Sequence, residues 1–323
     1  MNPVGRFAPS PSGRMHLGNV FTALLAWLSV RSQGGELVLR IEDLDPARCR
    51  PEYAEQLKDD LCWLGLRWDR EQTPQSRREA AYREAFERLR GQGLVYPCYC
   101  SRDELHAASA PHASDGRVLY AGTCRNLTEA ERAAQAKPPA WRLTVPDREY
   151  AFTDRLQGEV RQNLARECGD FIVRRADGVY AYQLAVVADD AAGGVTEVVR
   201  GRDLLDSTPR QLYLFERLGL TPPHYCHTPL LLAPDGRRLS KRERALDFGA
   251  LRRAETPERI LGYLAGLAGL IEPGQSASAA ELAGAFSWQR VAKNDRTVSI
   301  VTEIPKKSEN SLDISLQEAN TLV

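Results

Sequence analysis

The sequence predicts an α/β protein: a parallel sheet covered by helices, split by an inserted subdomain and followed by a small helical region. Three observations predict it. Residues 4–42 read as strand, glycine-bearing loop, helix and strand, the βαβ pattern that builds parallel sheets. A stretch from 95 to 185, polar and rich in Ala, Ser and Gly in its first half, breaks that pattern. The pattern resumes with "VTEVVRGRD" at 195–203. At 323 residues, the chain is long enough for roughly two domains with a buried core.

Each element follows in order. Residues 4–8 (VGRFA) read as a short strand, and "PSPSGRMHLGN" at 9–19 as the loop after it. From Val20 the pattern is helical: Val20, Leu24, Trp27 and Leu28 share a face, and Gly34-Gly35 ends the helix. Residues 36–42 (ELVLRIE) read as a second, largely buried strand, and helices follow near 52–64 and 76–91. In the insertion, "DFIVRRADGVYAYQLA" predicts two strands around Asp177-Gly178, a hairpin dipeptide. After 203 the sequence predicts a helix with Pro209 in its first turn, then a strand at "TPLLLA" (228–233) and a loop at "PDGRRLSKR". Thr256-Pro257 caps a last clear helix with Ile260, Leu261, Leu264 and Leu267 apolar. The expected boundaries are 1–94 and 186–248 for the two halves of the sheet domain, 95–185 for the insertion and 249–290 for the helical region. Three of the six lysines lie in residues 291–323, where Asn and Ser also rise, so this segment reads as a weakly ordered tail.

Composition narrows the function. Basic and acidic residues balance at 43 each, so global charge gives no sign of a nucleic-acid partner, and any such surface must be local. With 43% hydrophobic and 27% charged residues, no apolar run of membrane-spanning length and no leader, a cytoplasmic protein without a membrane partner is expected. Seven cysteines in a long chain do not suggest a disulfide framework. Cys49, Cys62, Cys168 and Cys226 read as structural thiols. Cys98, Cys100 and Cys124 are the close group, three thiolates toward a four-coordinate zinc, with Tyr120, His106 and His112 as candidates for the fourth ligand.

Two loops carry the chemistry. A loop entering a helix N-terminus offers free backbone N–H groups and a positive dipole end, which suits phosphate. In "PSPSGRMHLGN", Gly18 permits close approach to the backbone, and His16 supplies a donor that can follow charge on a phosphate oxygen. Far along the chain, "RRLSKR" at 237–242 sets Arg238 and Lys241 around Ser240, a pattern suited to a phosphate clamp.

In order and spacing the two loops resemble the signatures of the class I aminoacyl-tRNA synthetases, "HLGN" the first and "RLSKR" the second. "RFAPSPSG…HLGN…RIEDLD", "YPCYC" and "VVRGRDLL" are similar to the glutamyl branch, over roughly residues 4–290. The resemblance implies a Rossmann-type catalytic core split by an insertion that handles nucleic acid. It implies ATP at His16, Gly18, Asn19, Arg238, Leu239, Ser240 and Lys241, with His16 and Lys241 catalytic and Mg²⁺ accompanying the nucleotide. It places L-glutamate at Arg6, Phe7, Ala8, Pro9, Ser10, Glu42, Tyr182 and Arg200. The charge types match a ligand with two carboxylates and one ammonium: Arg6 and Arg200 for the former, Glu42 for the latter, Tyr182 as a hydroxyl donor. For the metal it points to structural zinc on Cys98, Cys100, Cys124 and Tyr120. Two positions depart from the pattern: Asn19, where many class I enzymes have His, and Arg242, where Ser is usual.

Full glutamyl-tRNA synthetases carry a large C-terminal region that reads the anticodon, whereas the helical pattern here stops near Arg290. The chain is therefore most similar to the short paralogues, the glutamyl-Q tRNA(Asp) synthetases. These activate glutamate without tRNA and transfer it to queuosine in tRNA(Asp). The alternatives are a truncated glutamyl-tRNA synthetase charging a 3′ end, or a non-catalytic synthetase-like binding protein. A monomer is expected. The local basic surface is expected at residues 237–253, where seven Arg and Lys stand against Glu243 and Asp247.

Overall fold

The computed structural model describes residues 2–101, 119–237, 239 and 248–298. In chain order, β1 (Val4–Phe7), α1 (Leu17–Arg31) and β2 (Glu36–Leu39) form the first βαβ unit. α2 (Pro51–Trp63), β3 (Arg70–Glu71) and α3 (Glu79–Gly91) follow. The inserted segment contributes β4 (Val95–Cys98), α4 (Glu129–Ala133), β5 (Ala140–Leu143), β6 (Glu149–Asp154), β7 (Gly158–Asn163), α5 (Leu164–Glu167) and β8 (Phe171–Arg174). Then come α6 (Tyr182–Ala192), β9 (Glu197–Gly201), α7 (Thr208–Leu218), β10 (His224–Thr228) and β11 (Leu231–Leu232). α8 (Phe248–Ala254), α9 (Pro257–Ala268), α10 (Ala279–Gly284) and β12 (Arg296–Thr297) complete the described chain.

The main sheet has strand order β10-β9-β1-β2-β3, with every pair parallel. From β1 the chain moves outward on one side through β2 and β3, and on the other side through β9 and β10. The switch point therefore lies between β1 and β9, and ligands of open α/β sheets bind at the carboxyl ends of the strands there. α1 is apolar on nearly all faces, with Val20, Phe21, Leu24, Leu25, Leu28 and Val30 buried, as befits a helix pressed between the sheet and a second layer. That second layer is α9 and α10, whose Ile260, Leu261, Leu264 and Leu282 join the same core. A second core lies under the insertion, where Phe86 and Leu89 of α3 pack with Leu143, Val173, Leu184, Leu214 and Phe215.

Three expectations meet a different structure. The hairpin around Asp177-Gly178 has only its first strand: the turn closes through Arg175 N–H to Val179 C=O at 2.8 Å and a single bridge pairs Arg174 with Tyr180. The chain then enters α6 at Tyr182 rather than extending as a second strand. The strand expected at 228–233 is only the two-residue β11, and the sheet strand is β10, earlier and more polar. Residues 291–298, assigned to the tail by composition, instead pack on the body. Val291 and Val298 are buried, β12 pairs with β11, and Asp295 binds Arg202 at 2.8 Å. Among the described residues no helix is long and apolar enough to cross a membrane.

Candidate active site

A cleft of about 430 Å³ opens at the β1/β9 switch point. The parallel pairing of β1 and β2 continues beyond the strands: Arg40 N–H donates to Phe7 C=O and Glu42 N–H to Pro9 C=O, both at 3.0 Å. This carries Glu42 alongside Ser10 of the opening loop. The cleft is lined by Arg6, Phe7, Ala8, Pro9, Ser10, His16, Gly18, Asn19, Glu42, Tyr182, Arg200 and Leu239. Every described member of the expected glutamate and ATP sets is therefore in one place. Arg238, Ser240 and Lys241 lie outside the described residues.

His16 stands at the N-cap of α1, where the free N–H groups and the positive dipole end face the cleft. Asn19 serves the helix itself: its side-chain oxygen accepts the backbone N–H of His16 at 3.1 Å. A Cβ at Gly18 would lie 3.1 Å from two atoms of the His16 ring, so glycine leaves the imidazole room over the first turn.

At the strand ends the site is a buried lattice of charge that the sequence only half reveals. Arg6 lies 3.5 Å from Asp190 and also donates to Val199 C=O at 3.3 Å. Arg40, fully buried, donates to Asp190 at 2.6 Å and to Glu42 at 3.1 Å. Asp189 accepts from Gln75 at 2.7 Å, Arg78 at 2.5 Å and the Tyr82 hydroxyl at 2.8 Å. Burial raises the Glu42 carboxyl above its ordinary range despite Arg40 and Arg6, so an added cation nearby would stabilise its charged form. Burial also works against the Asp190 carboxylate, but Arg40 and Arg6 outweigh it and hold its pKa low. Burial depresses the Arg6 guanidinium from its usual value, the fields of Arg40 and Arg200 adding to the effect while Asp190 opposes it.

Arg200 differs from Arg6 and Arg40, its buried neighbours in the site. Its donors go to neutral partners: His227 Nε2 at 2.9 Å, Gln211 at 2.9 Å, Thr208 at 2.8 Å and Leu204 C=O at 3.4 Å. Among the described residues no carboxylate pairs with it directly. A buried cation without a counter-charge beside a cleft fits an anionic ligand. The sequence singled out Arg6, Glu42, Tyr182 and Arg200 but missed Arg40, Asp189, Asp190 and His227. A signal was present, since Arg40 interrupts the apolar run "ELVLRIE" and Asp189-Asp190 interrupt "LAVVADDAA". Charges inside such runs need buried partners.

The first signature loop and α8 share an anchor. Asp60 of α2, fully buried, takes Arg14 of the first loop at 2.8 and 3.2 Å and Arg252 of α8 at 3.0 Å. Phe248, which opens α8, donates its N–H to Met15 C=O at 3.2 Å. Arg252 also reaches Asp59 at 2.5 Å, so one of the basic residues expected to face nucleic acid has a structural role. Arg237 of that stretch donates to Asp235 at 2.7 Å, and residues 240–247 lie outside the described residues.

In the insertion, the Cys98, Cys100 and Cys124 sulfurs lie within 4.8 Å of one another. The Tyr120 hydroxyl is 3.5 Å from Cys98 Sγ and accepts the Cys124 N–H at 2.8 Å. Arg142 Nε donates to Cys98 Sγ at 3.2 Å. Three thiols and a phenol converge, a donor set that fits a four-coordinate metal. His106 and His112 lie outside the described residues.

The fold is that of a class I aminoacyl-tRNA synthetase. The family described as tRNA synthetases class I (E and Q), catalytic domain, matches residues 4–298. A glutamyl-Q tRNA(Asp) synthetase of Symbiobacterium thermophilum is 51% identical over 304 residues, covering 90% of this chain and 94% of that protein. One from Nitratidesulfovibrio vulgaris is 52% identical over 283 residues, covering 83% and 86%. A glutamate tRNA ligase from Elizabethkingia meningosepticum, solved in complex with its amino acid, superposes with a TM-score of 0.79 at 27% identity, covering 93% of this chain and 68% of that one. The chain thus belongs to the class I (E and Q) synthetases, among the glutamyl-Q tRNA(Asp) synthetases, and is a ligase.

Proposed function

We propose that this protein activates L-glutamate with ATP, without tRNA, and then transfers glutamate to queuosine at the wobble position of tRNA(Asp). The observation that carries the first step is the meeting of Arg6, Arg200 and Glu42 beside the N-terminus of α1. Arg6 and Arg200 take the two carboxylates of glutamate, Glu42 takes its ammonium, and the Tyr182 hydroxyl donates to the bound amino acid. The α-carboxylate attacks the α-phosphate of ATP, a P–O bond forms, and pyrophosphate leaves. His16, the N–H groups of α1 and Lys241 stabilise the charge that builds on the phosphate oxygens, with Arg238 and Ser240 on the same loop. Mg²⁺ bound with ATP would supply charge screening on the phosphates. In the second step a hydroxyl of queuosine attacks the mixed anhydride, an ester forms and AMP leaves. Both steps rest on positioning and electrostatics.

The names of the relatives support the acceptor assignment. Cys98, Cys100, Cys124 and Tyr120 would hold zinc as a structural clip on the insertion. Glutamate-dependent exchange of labelled pyrophosphate into ATP, measured without tRNA, tests the first step. Exchange in the absence of tRNA is expected, and exchange that appears only when tRNA is added contradicts the proposal.

A further inference from the structure

Arg200 is not held by the sheet alone. Its Nε–H donates to His227 Nε2 at 2.9 Å, and His227 Nδ1 lies 2.6 Å from Asp154 Oδ2. All three side chains are buried. A guanidinium can only donate, so Nε2 carries the lone pair and Nδ1 carries the proton. The imidazole is therefore neutral and in one tautomer, and it connects Asp154 at the end of β6 to Arg200 on β9. The other Asp154 oxygen, Oδ1, is taken by backbone N–H groups of Leu156 at 3.0 Å and Gln157 at 2.8 Å, while the His227 N–H is shared between Oδ2 at 3.0 Å and Oδ1 at 3.2 Å. Gln157 closes the contact by donating to His227 C=O at 2.8 Å.

We propose that His227 is a positioning residue for glutamate: the neutral imidazole, fixed by Asp154, orients the Arg200 guanidinium toward the cleft without neutralising it. The inference rests on the reading of Arg200 as a carboxylate ligand. A carboxylate in direct contact with Arg200 would compete with the substrate. A neutral acceptor anchors the guanidinium and leaves its charge for the ligand. It also makes the amino-acid pocket depend on the seating of the β6–β7 hairpin, which lies in the inserted segment.

Asp154→Asn tests this with almost no change of shape. The Leu156 and Gln157 N–H groups hold the amide oxygen in the Oδ1 place, where the His227 N–H can still reach it, so the amide N–H₂ faces His227 Nδ1. Nδ1 must then accept, the proton moves to Nε2, and two donors oppose each other at Arg200. Loss of a buried hydrogen bond to a charged group corresponds to a roughly ten- to hundred-fold weakening. The expected result in pyrophosphate exchange is a rise of that size in KM for glutamate, with KM for ATP within about twofold. Imidazole ¹⁵N spectra, assigned by the signal lost in His227→Gln, should show Nδ1 protonated in the wild type and Nε2 protonated in Asp154→Asn. His227→Gln, whose side-chain oxygen can occupy the Nε2 place, should restore most of the glutamate affinity that His227→Leu loses, and this pair decides the matter if Asp154→Asn does not fold. Folded Asp154→Asn with unchanged KM for glutamate, or equal KM in His227→Gln and His227→Leu, overturns the proposal. Arg200→Ala keeps the two readings apart: if it leaves KM for glutamate unchanged, the assignment of Arg200 to a carboxylate has failed.

Discussion

Asp60→Ala should loosen the ATP site while sparing the glutamate pocket. Asp60 is fully buried and accepts two hydrogen bonds from Arg14 and one from Arg252. A hydrogen bond to a charged group contributes about 1.5–3 kcal/mol, and breaking a fully buried ion pair costs about 3–5 kcal/mol. Here both arginine side chains are about a quarter exposed, at 23% and 24%, so water recovers part of the loss. The net cost expected is therefore about 2–3 kcal/mol in stability. The functional effect follows from what Asp60 joins. Arg14 lies in the loop that ends at His16, and Arg252 lies on the helix that follows the second signature loop. If about half of the lost energy served to register the first loop against α8, KM for ATP should rise about tenfold, since about 1.4 kcal/mol is a factor of ten. The assay is pyrophosphate exchange at saturating glutamate with ATP varied, run beside a thermal melt. KM for glutamate should stay within about twofold. A folded Asp60→Ala protein with wild-type KM for ATP would refute the idea that this carboxylate aligns the first loop with α8 for ATP.

Other outcomes follow from the same structure. Gly262→Ala should destabilise the protein by about 1–3 kcal/mol as an overpacking change, because a Cβ there would lie 2.0 Å from the backbone oxygen of Gln275; thermal melts check this. Stability should fall on the acid side. Burial depresses the His227 pKa below its ordinary value despite Asp154, so the unfolded chain binds more protons as pH drops through about 6.5. That contribution is full above this pH and declines below it, and melts at pH 8 and pH 5.5 should show it reduced in His227→Gln. The purified protein should carry one equivalent of zinc by metal analysis, and Cys100→Ser should lower that content and the melting temperature together.

The first βαβ unit was legible because its signals are local. Apolar strands flank a proline- and glycine-bearing loop, and a helix apolar over most of its surface follows. His16 and Gly18 were readable for the same reason, each standing at the start of that helix, whereas Arg6 and Glu42 were singled out through the family resemblance. β10 was not. "HYCHT" looks polar, and the buried ring of His227 is met by Asp154, 73 residues earlier. No local pattern encodes a pairing of that range. The second strand of the Asp177-Gly178 hairpin failed for a related reason. The turn chemistry was right, but packing of Tyr182 and Leu184 against α3 and α7 commits the chain to a helix directly after the turn. Residues 291–298 read as tail by composition, yet Val291 and Val298 seal the core beside α9, which only the tertiary structure reveals.

The central claim concerns the acceptor, and one measurement reaches it most directly. Labelled glutamate and ATP are incubated with the protein and with tRNA(Asp) either carrying or lacking queuosine. The account predicts label on tRNA(Asp) only when queuosine is present, in a linkage that survives removal of the 3′-terminal adenosine. Label on queuosine-free tRNA(Glu), lost when that adenosine is removed, would contradict it.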